Sequence, residues 1–204
     1  MPWWPGRWLL LLMPLAVVAL LLWAAPRLQG WAHWQAMEQR VAALVGRCKH
    51  PRVVAAAMDI SALGSSTLVG LLGVVAVPAL WAAGGTDAAL ALALATALPG
   101  PLGRWLKHRT QLVRPAGSRS ITFGSSFPSN HTLMASAWWL TAAALTAPLM
   151  PTDALRNGAW LLGVLLPLAV GGSRVALGAH HVADVVAGWL LGFGLALSLV
   201  TPSM

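Results

Sequence analysis

His180 and Asp184 stand four residues apart near the C-terminal end of the chain. On a helix that spacing puts both on one face, within hydrogen-bond reach. A carboxylate held against one imidazole nitrogen fixes the tautomer and leaves the other nitrogen free to attack an electrophile. Asp184 is also the only acid in the last fifty residues, at the edge of an apolar segment where acids are costly and usually functional. Upstream, Ser129 occupies an N-cap position ahead of a helix, and helix N-termini present free N–H groups to anions. His131, close behind it, is placed to protonate a leaving oxygen. Lys107, Arg114 and Arg174 supply cations for the three non-bridging oxygens of a phosphoryl group. These residue types together point to phosphoryl transfer through a histidine.

They fall in three short stretches: Lys107 followed by Arg114-Pro115, then Pro128-Ser129-Asn130-His131, then Ser173-Arg174 followed by His180 and Asp184. In order and internal spacing, the set resembles the type 2 phosphatidic acid phosphatases. These are the membrane branch of a superfamily that includes vanadium haloperoxidases and soluble bacterial acid phosphatases. The resemblance extends to Ser173-Arg174-Val175, Leu177-Gly178-Ala179-His180 and Ala187-Gly188, and to the segment Asp59-Ile60-Ser61-Ala62-Leu63-Gly64. It implies that His180 forms a phosphohistidine oriented by Asp184. His131 would be the acid for the leaving group and then the base for water, while Lys107, Arg114, Ser129, Asn130 and Arg174 hold the phosphate. There are departures as well. Asn130 stands where the family usually has Gly, so its backbone N–H serves only if the turn keeps a negative φ. His181 replaces an aromatic that often follows the nucleophile, and a Pro common soon after is missing.

The elements that must position these residues are apolar helices. Of the 204 residues, 58% are hydrophobic and only 9% charged, against about 25% charged in a soluble domain. Lipid must therefore cover much of the surface. Spanning helices are expected at Trp8 to Ala25, Ser61 to Ala83, Asp87 to Leu106 (interrupted by Pro99 and Pro101), Ser129 to Ala147, Leu155 to Gly172 and His181 to Val200. A cleaved signal peptide is the alternative for the first; its length and the placement of Pro26 favour a retained helix. In residues 27 to 59, Trp31, Trp34, Met37, Val41, Leu44 and Val45 recur at helical spacing, which predicts an amphipathic helix on the membrane surface. The fold class is thus all-α, a single polytopic membrane domain over 1 to 204 with six transmembrane helices, that interfacial helix between the first two, and a signature-bearing core at about 59 to 200. An even number of spans gathers the 27 to 59 segment, the 107 to 128 segment and the 173 to 181 turn on one face.

The net charge of +8 comes from basic residues clustered in two polar segments, so anionic headgroups and phosphate are better partners than nucleic acid. Arg104, His108, Arg109 and Arg119 read as a solvated basic loop, His33 and His50 as interfacial, and Ser125 and Ser126 as loop filler. Lone Cys48 excludes an internal disulfide, and adjacent His180 and His181 point about 100° apart and do not chelate together. Neither a metal nor another cofactor is expected. All but Arg7 and Arg156 of the 13 basic residues lie on the catalytic face. The positive-inside rule would make that face cytoplasmic; the family resemblance favours the periplasmic side of a bacterial inner membrane. The function expected is hydrolysis of a lipid phosphate or pyrophosphate, of the phosphatidate, phosphatidylglycerophosphate or undecaprenyl pyrophosphate type. A lipid phosphotransferase using the same site is one alternative, and a non-catalytic lipid-binding or transport protein is another. One histidine must be neutral and the other protonated, which predicts a bell-shaped rate profile near neutrality.

Overall fold

The computed structural model of the protein describes residues 7–47, 50–115, 118 and 124–200; Cys48, Lys49 and Arg119 lie outside them. The described residues form helices and no strand. The helices are α1 (Arg7–Gly30), α2 (Ala32–Arg47), α3 (Pro51–Ala62), α4 (Ser66–Ala82), α5 (Thr86–Ala97), α6 (Pro99–Thr110), α7 (Asn130–Thr146), α8 (Asp153–Ala176) and α9 (Val182–Val200). Four stretches are long and apolar enough to cross a membrane: Thr86–Thr110, Asn130–Leu149, Asp153–Ala176 and Val182–Val200. Two bent pairs raise the number to six if each is one span: Leu12–Arg27 with Ala32–Val45, bent by 88°, and Pro51–Ala62 with Ser66–Ala82, bent by 40°. The protein is therefore a multi-pass membrane protein with four to six candidate spans. Apolar side chains such as Leu71, Val74, Val75, Leu161, Leu162 and Leu165 are exposed along α4 and α8, a surface that water would not tolerate and lipid covers.

Local sequence explains most helix limits. Pro51 occupies the first turn of α3, where its missing N–H costs nothing, and His50 Nδ1 accepts the Arg52 N–H at 3.3 Å. The helix expected from Ser61 in fact begins at Ser66, because Ser65 caps it by accepting the Leu68 N–H at 3.1 Å. Residues 51–62 belong instead to α3, so the polar 27–59 segment takes in the last turn of α1, all of α2 and most of α3. Thr152 caps α8 in the same way. The expected interruption at Pro99 separates α5 from α6 at Leu98.

The centre of the bundle is α7, buried on nearly all sides and packed chiefly against α8 and α9. Small residues permit that closeness. A Cβ on Gly188 would meet the Ser129 carbonyl oxygen at 2.9 Å, and one on Gly192, a turn later, the Leu133 carbonyl oxygen at 2.6 Å. This small-xxx-small stripe on α9 lets the α7 backbone approach, which brings the start of α7 beside the start of α9. Gly188→Val is expected to cost about 1–3 kcal/mol through overpacking. A lowered melting temperature in detergent would show it; an unchanged one would mean the helices can part without penalty.

Candidate active site

Arg174 and His180 are brought together by the way α8 ends. Leu177 N–H donates to Ser173 O at 2.9 Å, Gly178 N–H to Val175 O at 2.8 Å, and Ala179 N–H to Arg174 O at 3.0 Å. Gly178 takes φ +65°, the left-handed conformation that closes this kind of helix end and that a Cβ would disfavour. The chain reverses there and returns His180 to the side of Arg174. It then enters α9, where Asp184 reaches back to accept the His181 N–H at 2.9 Å, as an acid three residues past a cap does. The same carboxylate oxygen lies 3.3 Å from His180 Nδ1, with both side chains buried. One acid thus caps the helix and fixes the imidazole.

With Nδ1 engaged, Nε2 of His180 is the free nitrogen, 3.5 Å from Arg114 Nη1. His180 lines a cavity of about 170 Å³ together with Gly64, Ser66, Lys107, Arg114, Asn130, His131 and Arg174. The structure therefore gathers both histidines and the expected cations around one space large enough for a phosphoryl group. Asn130 is the first residue of α7 and keeps a negative φ, so the condition set by its replacement of Gly is met. Asp184 stands behind His180, outside the cavity lining. Ser129 is the exception among the expected phosphate ligands. It is fully buried outside that lining, its hydroxyl accepts from Thr132 at 2.9 Å, and its N–H donates to the Asp184 carbonyl at 2.9 Å. Its side chain caps no backbone N–H of α7. What it does is tie α7 to α9.

The cations are held by groups that sequence reading assigned no part. Lys107 Nζ donates to the carbonyls of Ser125 at 2.8 Å and Ser126 at 3.0 Å. Arg114 donates to the carbonyls of Gly124 at 2.9 Å, Ser125 at 3.1 Å and Ala179 at 2.9 Å. Arg174 Nη1 donates to Ser61 Oγ on α3 at 2.8 Å. Ser126 is fully buried, and its hydroxyl lies 3.1 Å from Val113 O and 3.3 Å from Asp184 Oδ1, so it shares its proton between loop and carboxylate. Ser125 and Ser126 are thus structural members of the site rather than filler. Ser61 and Ser66, polar residues bordering an apolar helix, were the available signal for the contribution of α3 and α4.

Burial pushes the His180 pKa down to about 4; the hydrogen bond and charge of Asp184 raise it, and Lys107 and Arg114 lower it. Sequence alone supplies the opposing charges but not the desolvation, which dominates. His180 is therefore neutral, and able to attack, well below neutrality, so the acid limb of the expected rate profile moves away from neutral pH.

A wider groove of about 410 Å³ lies on the other side of Asp184. Trp34, Gln35, Glu38, Gln39 and Ala42 of α2 form one wall, with Leu112, Val113 and Phe127 opposite. Arg114 borders both spaces.

The family model described as the PAP2 superfamily matches residues 85–202, more than half of the chain and all three signature stretches. The chain belongs to the PAP2 superfamily. An undecaprenyl-diphosphatase from Sulfolobus acidocaldarius is 40% identical over 67 residues, which are 33% of this chain and 28% of that protein. The fold resembles the crystal structure of a transmembrane PAP2-type phosphatidylglycerolphosphate phosphatase from Bacillus subtilis. The TM-score is 0.78 over 97% of this chain and 94% of that one, at 23% identity. That likeness establishes a transmembrane PAP2 fold.

Proposed function

We propose that this PAP2 protein is a metal-independent phosphatase that hydrolyses a lipid phosphate or pyrophosphate through a phosphohistidine at His180. The observation that carries the reading is the His180–Asp184 pair facing a cavity ringed by Lys107, Arg114, Arg174 and His131. His180 Nε2 attacks phosphorus, the bond from phosphorus to the lipid oxygen breaks, and His131 gives that oxygen its proton. Water, losing a proton to His131, then attacks the phosphohistidine; phosphate leaves and His180 is restored. Asp184 stabilises the imidazolium formed on the way, and the guanidinium and ammonium groups balance charge on the equatorial oxygens. Asn130 contributes its backbone N–H at the start of α7. Ser129 holds the start of α7 against α9.

A single domain over 1–204 with six spans is the proposed architecture. At about 36 Å, the 24 residues of α1 suffice to cross alone, and the 88° bend then lays α2 along the interface. A lipid enters sideways there, with room for its headgroup in the groove under α2. Phosphatidate, phosphatidylglycerophosphate and undecaprenyl pyrophosphate all fit this class. Phosphate release and acid-quenched phosphoenzyme, measured on that panel in detergent, test the reading. Release from none of them would overturn it.

Activity is expected to survive EDTA and to be inhibited by vanadate, which mimics five-coordinate phosphorus. Among the described residues no three His, Cys, Asp or Glu side chains stand together as a metal-ligand set. Loss in EDTA with recovery on added magnesium would overturn metal independence. The catalytic face is proposed to be periplasmic, in a bacterial inner membrane. Ser118→Cys in a Cys48→Ala background should then react with an impermeant thiol reagent in intact spheroplasts. Labelling only after membrane disruption would place the face in the cytoplasm, as the distribution of basic residues would have it.

A further inference from the structure

We propose that Glu38 of α2 is a positioning residue for the His180 nucleophile. The inference rests on the phosphohistidine reading above. One carboxylate from the interfacial side of the molecule takes three contacts at the start of α9: the Val182 N–H at 3.1 Å, the Ala183 N–H at 3.2 Å and His181 Nδ1 at 3.3 Å. The Glu38 side chain is only 10% exposed in this arrangement. The first N–H groups of a helix have no partner within it and carry its positive end, so an acid from another element is a strong anchor there. Asp184 already satisfies the His181 N–H from inside the helix. Glu38 supplies the acceptors for the next two from outside. Between them, the first turn of α9 and the residue following His180 are fixed in direction.

That fixation reaches the reacting atoms by short links. His180 precedes the anchored turn, and its Nδ1 is aimed by the carboxylate of that same turn. The Asp184 carbonyl accepts the Ser129 N–H, which ties the anchored turn to the start of α7 and to His131. Releasing Glu38 would free the turn to shift relative to the cavity, and displacements of about 1 Å at a reacting group cost on the order of 100-fold in rate. Glu38 touches neither the cavity nor His180, so its effect is on alignment.

His181 adds a charge to the anchor. The groups facing it are Glu38 from α2, Asp184 from α9, and the Val113 carbonyl and Arg114 from the stretch after α6. The Glu38 hydrogen bond raises the His181 pKa above the ordinary histidine value, with burial opposing. The ion pair is therefore complete on the acid side and is lost as pH rises through that raised value, leaving the two backbone contacts in place.

The test compares Glu38→Ala, Glu38→Gln and His180→Ala in detergent, with kcat per active site counted from the phosphoenzyme burst. Substrates are phosphatidate and a short-chain analogue. Glu38→Ala is expected to lower kcat about 10- to 100-fold on both, with KM changed little. Glu38→Gln, which keeps one acceptor oxygen, should lose less than about tenfold and should lower the His181 pKa seen by NMR of labelled histidine. A Glu38→Ala kcat within about twofold of wild type, or a rise in KM for phosphatidate alone, would overturn the inference and leave Glu38 as groove wall or fold support. Activity in folded His180→Ala would overturn the phosphohistidine reading itself.

Discussion

Folded His180→Ala is expected to lose turnover by about four orders of magnitude or more, because it removes the proposed nucleophile. The protein should remain folded, since the His180 ring has long polar contacts to Asp184 at 3.3 Å and Arg114 at 3.5 Å, and the turn that presents it is held by backbone contacts from Leu177, Gly178 and Ala179. Asp184→Asn should leave a small residue of activity. The amide still fills the space and accepts one bond, but it no longer fixes the tautomer or stabilises the imidazolium. That variant is also expected to lose stability, because the carboxylate accepts the His181 N–H at 2.9 Å as well. The wild-type pH profile follows from the same pair. Attack requires neutral His180, and the burial that holds its pKa near 4 makes kcat/KM climb as pH rises through that value. Between there and neutrality no further gain from His180 is expected. Wild-type turnover from a folded His180→Ala protein, with no acid-quenched phosphoenzyme in the parent, would remove the mechanism.

Replacing His131 is expected to separate two kinds of substrate. His131 lines the cavity with His180 and Arg174, which leaves room for a pose that presents phosphorus to His180 and the bridging oxygen to His131. A lipid alcohol is a poor leaving group and needs its proton during departure, so His131→Ala should lose about 10²–10⁴-fold on a lipid phosphate. A p-nitrophenyl ester departs as a stable phenolate and should lose far less in the phosphorylation step. Single-turnover rates isolate that step from hydrolysis of the proposed phosphohistidine, where the proposed base role of His131 would affect both substrates alike. Equal single-turnover losses would reassign His131 as a phosphate ligand. The part of the alkaline limb that belongs to the leaving-group proton should vanish from the lipid profile in the variant.

Much of this site is written in local spacing. The four-residue interval from His180 to Asp184 becomes a hydrogen bond wherever the chain turns into a helix, and Asp184 at the third position of α9 caps that helix by the same reach. Gly178, between Arg174 and His180, is legible as the left-handed end of a helix. Long apolar runs interrupted by polar segments likewise point to a membrane helix bundle, because a helix satisfies its own backbone in lipid and runs of that length suit helices rather than barrel strands. The departures arise where partners are far apart in sequence. Ser126 meets Asp184 across 58 residues, Ser61 meets Arg174 across 113, and Glu38 meets Ala183 across 145; no periodicity within a helix encodes such pairs. Ser129 illustrates the limit from the other side. Its cap position follows from sequence, but its hydroxyl is engaged by Thr132 and its backbone carbonyl lies against α9 at Gly188. The low pKa of His180 is likewise a tertiary property: the sequence supplies the charges around it, and only packing of the helices removes the water that would otherwise stabilise its protonated form.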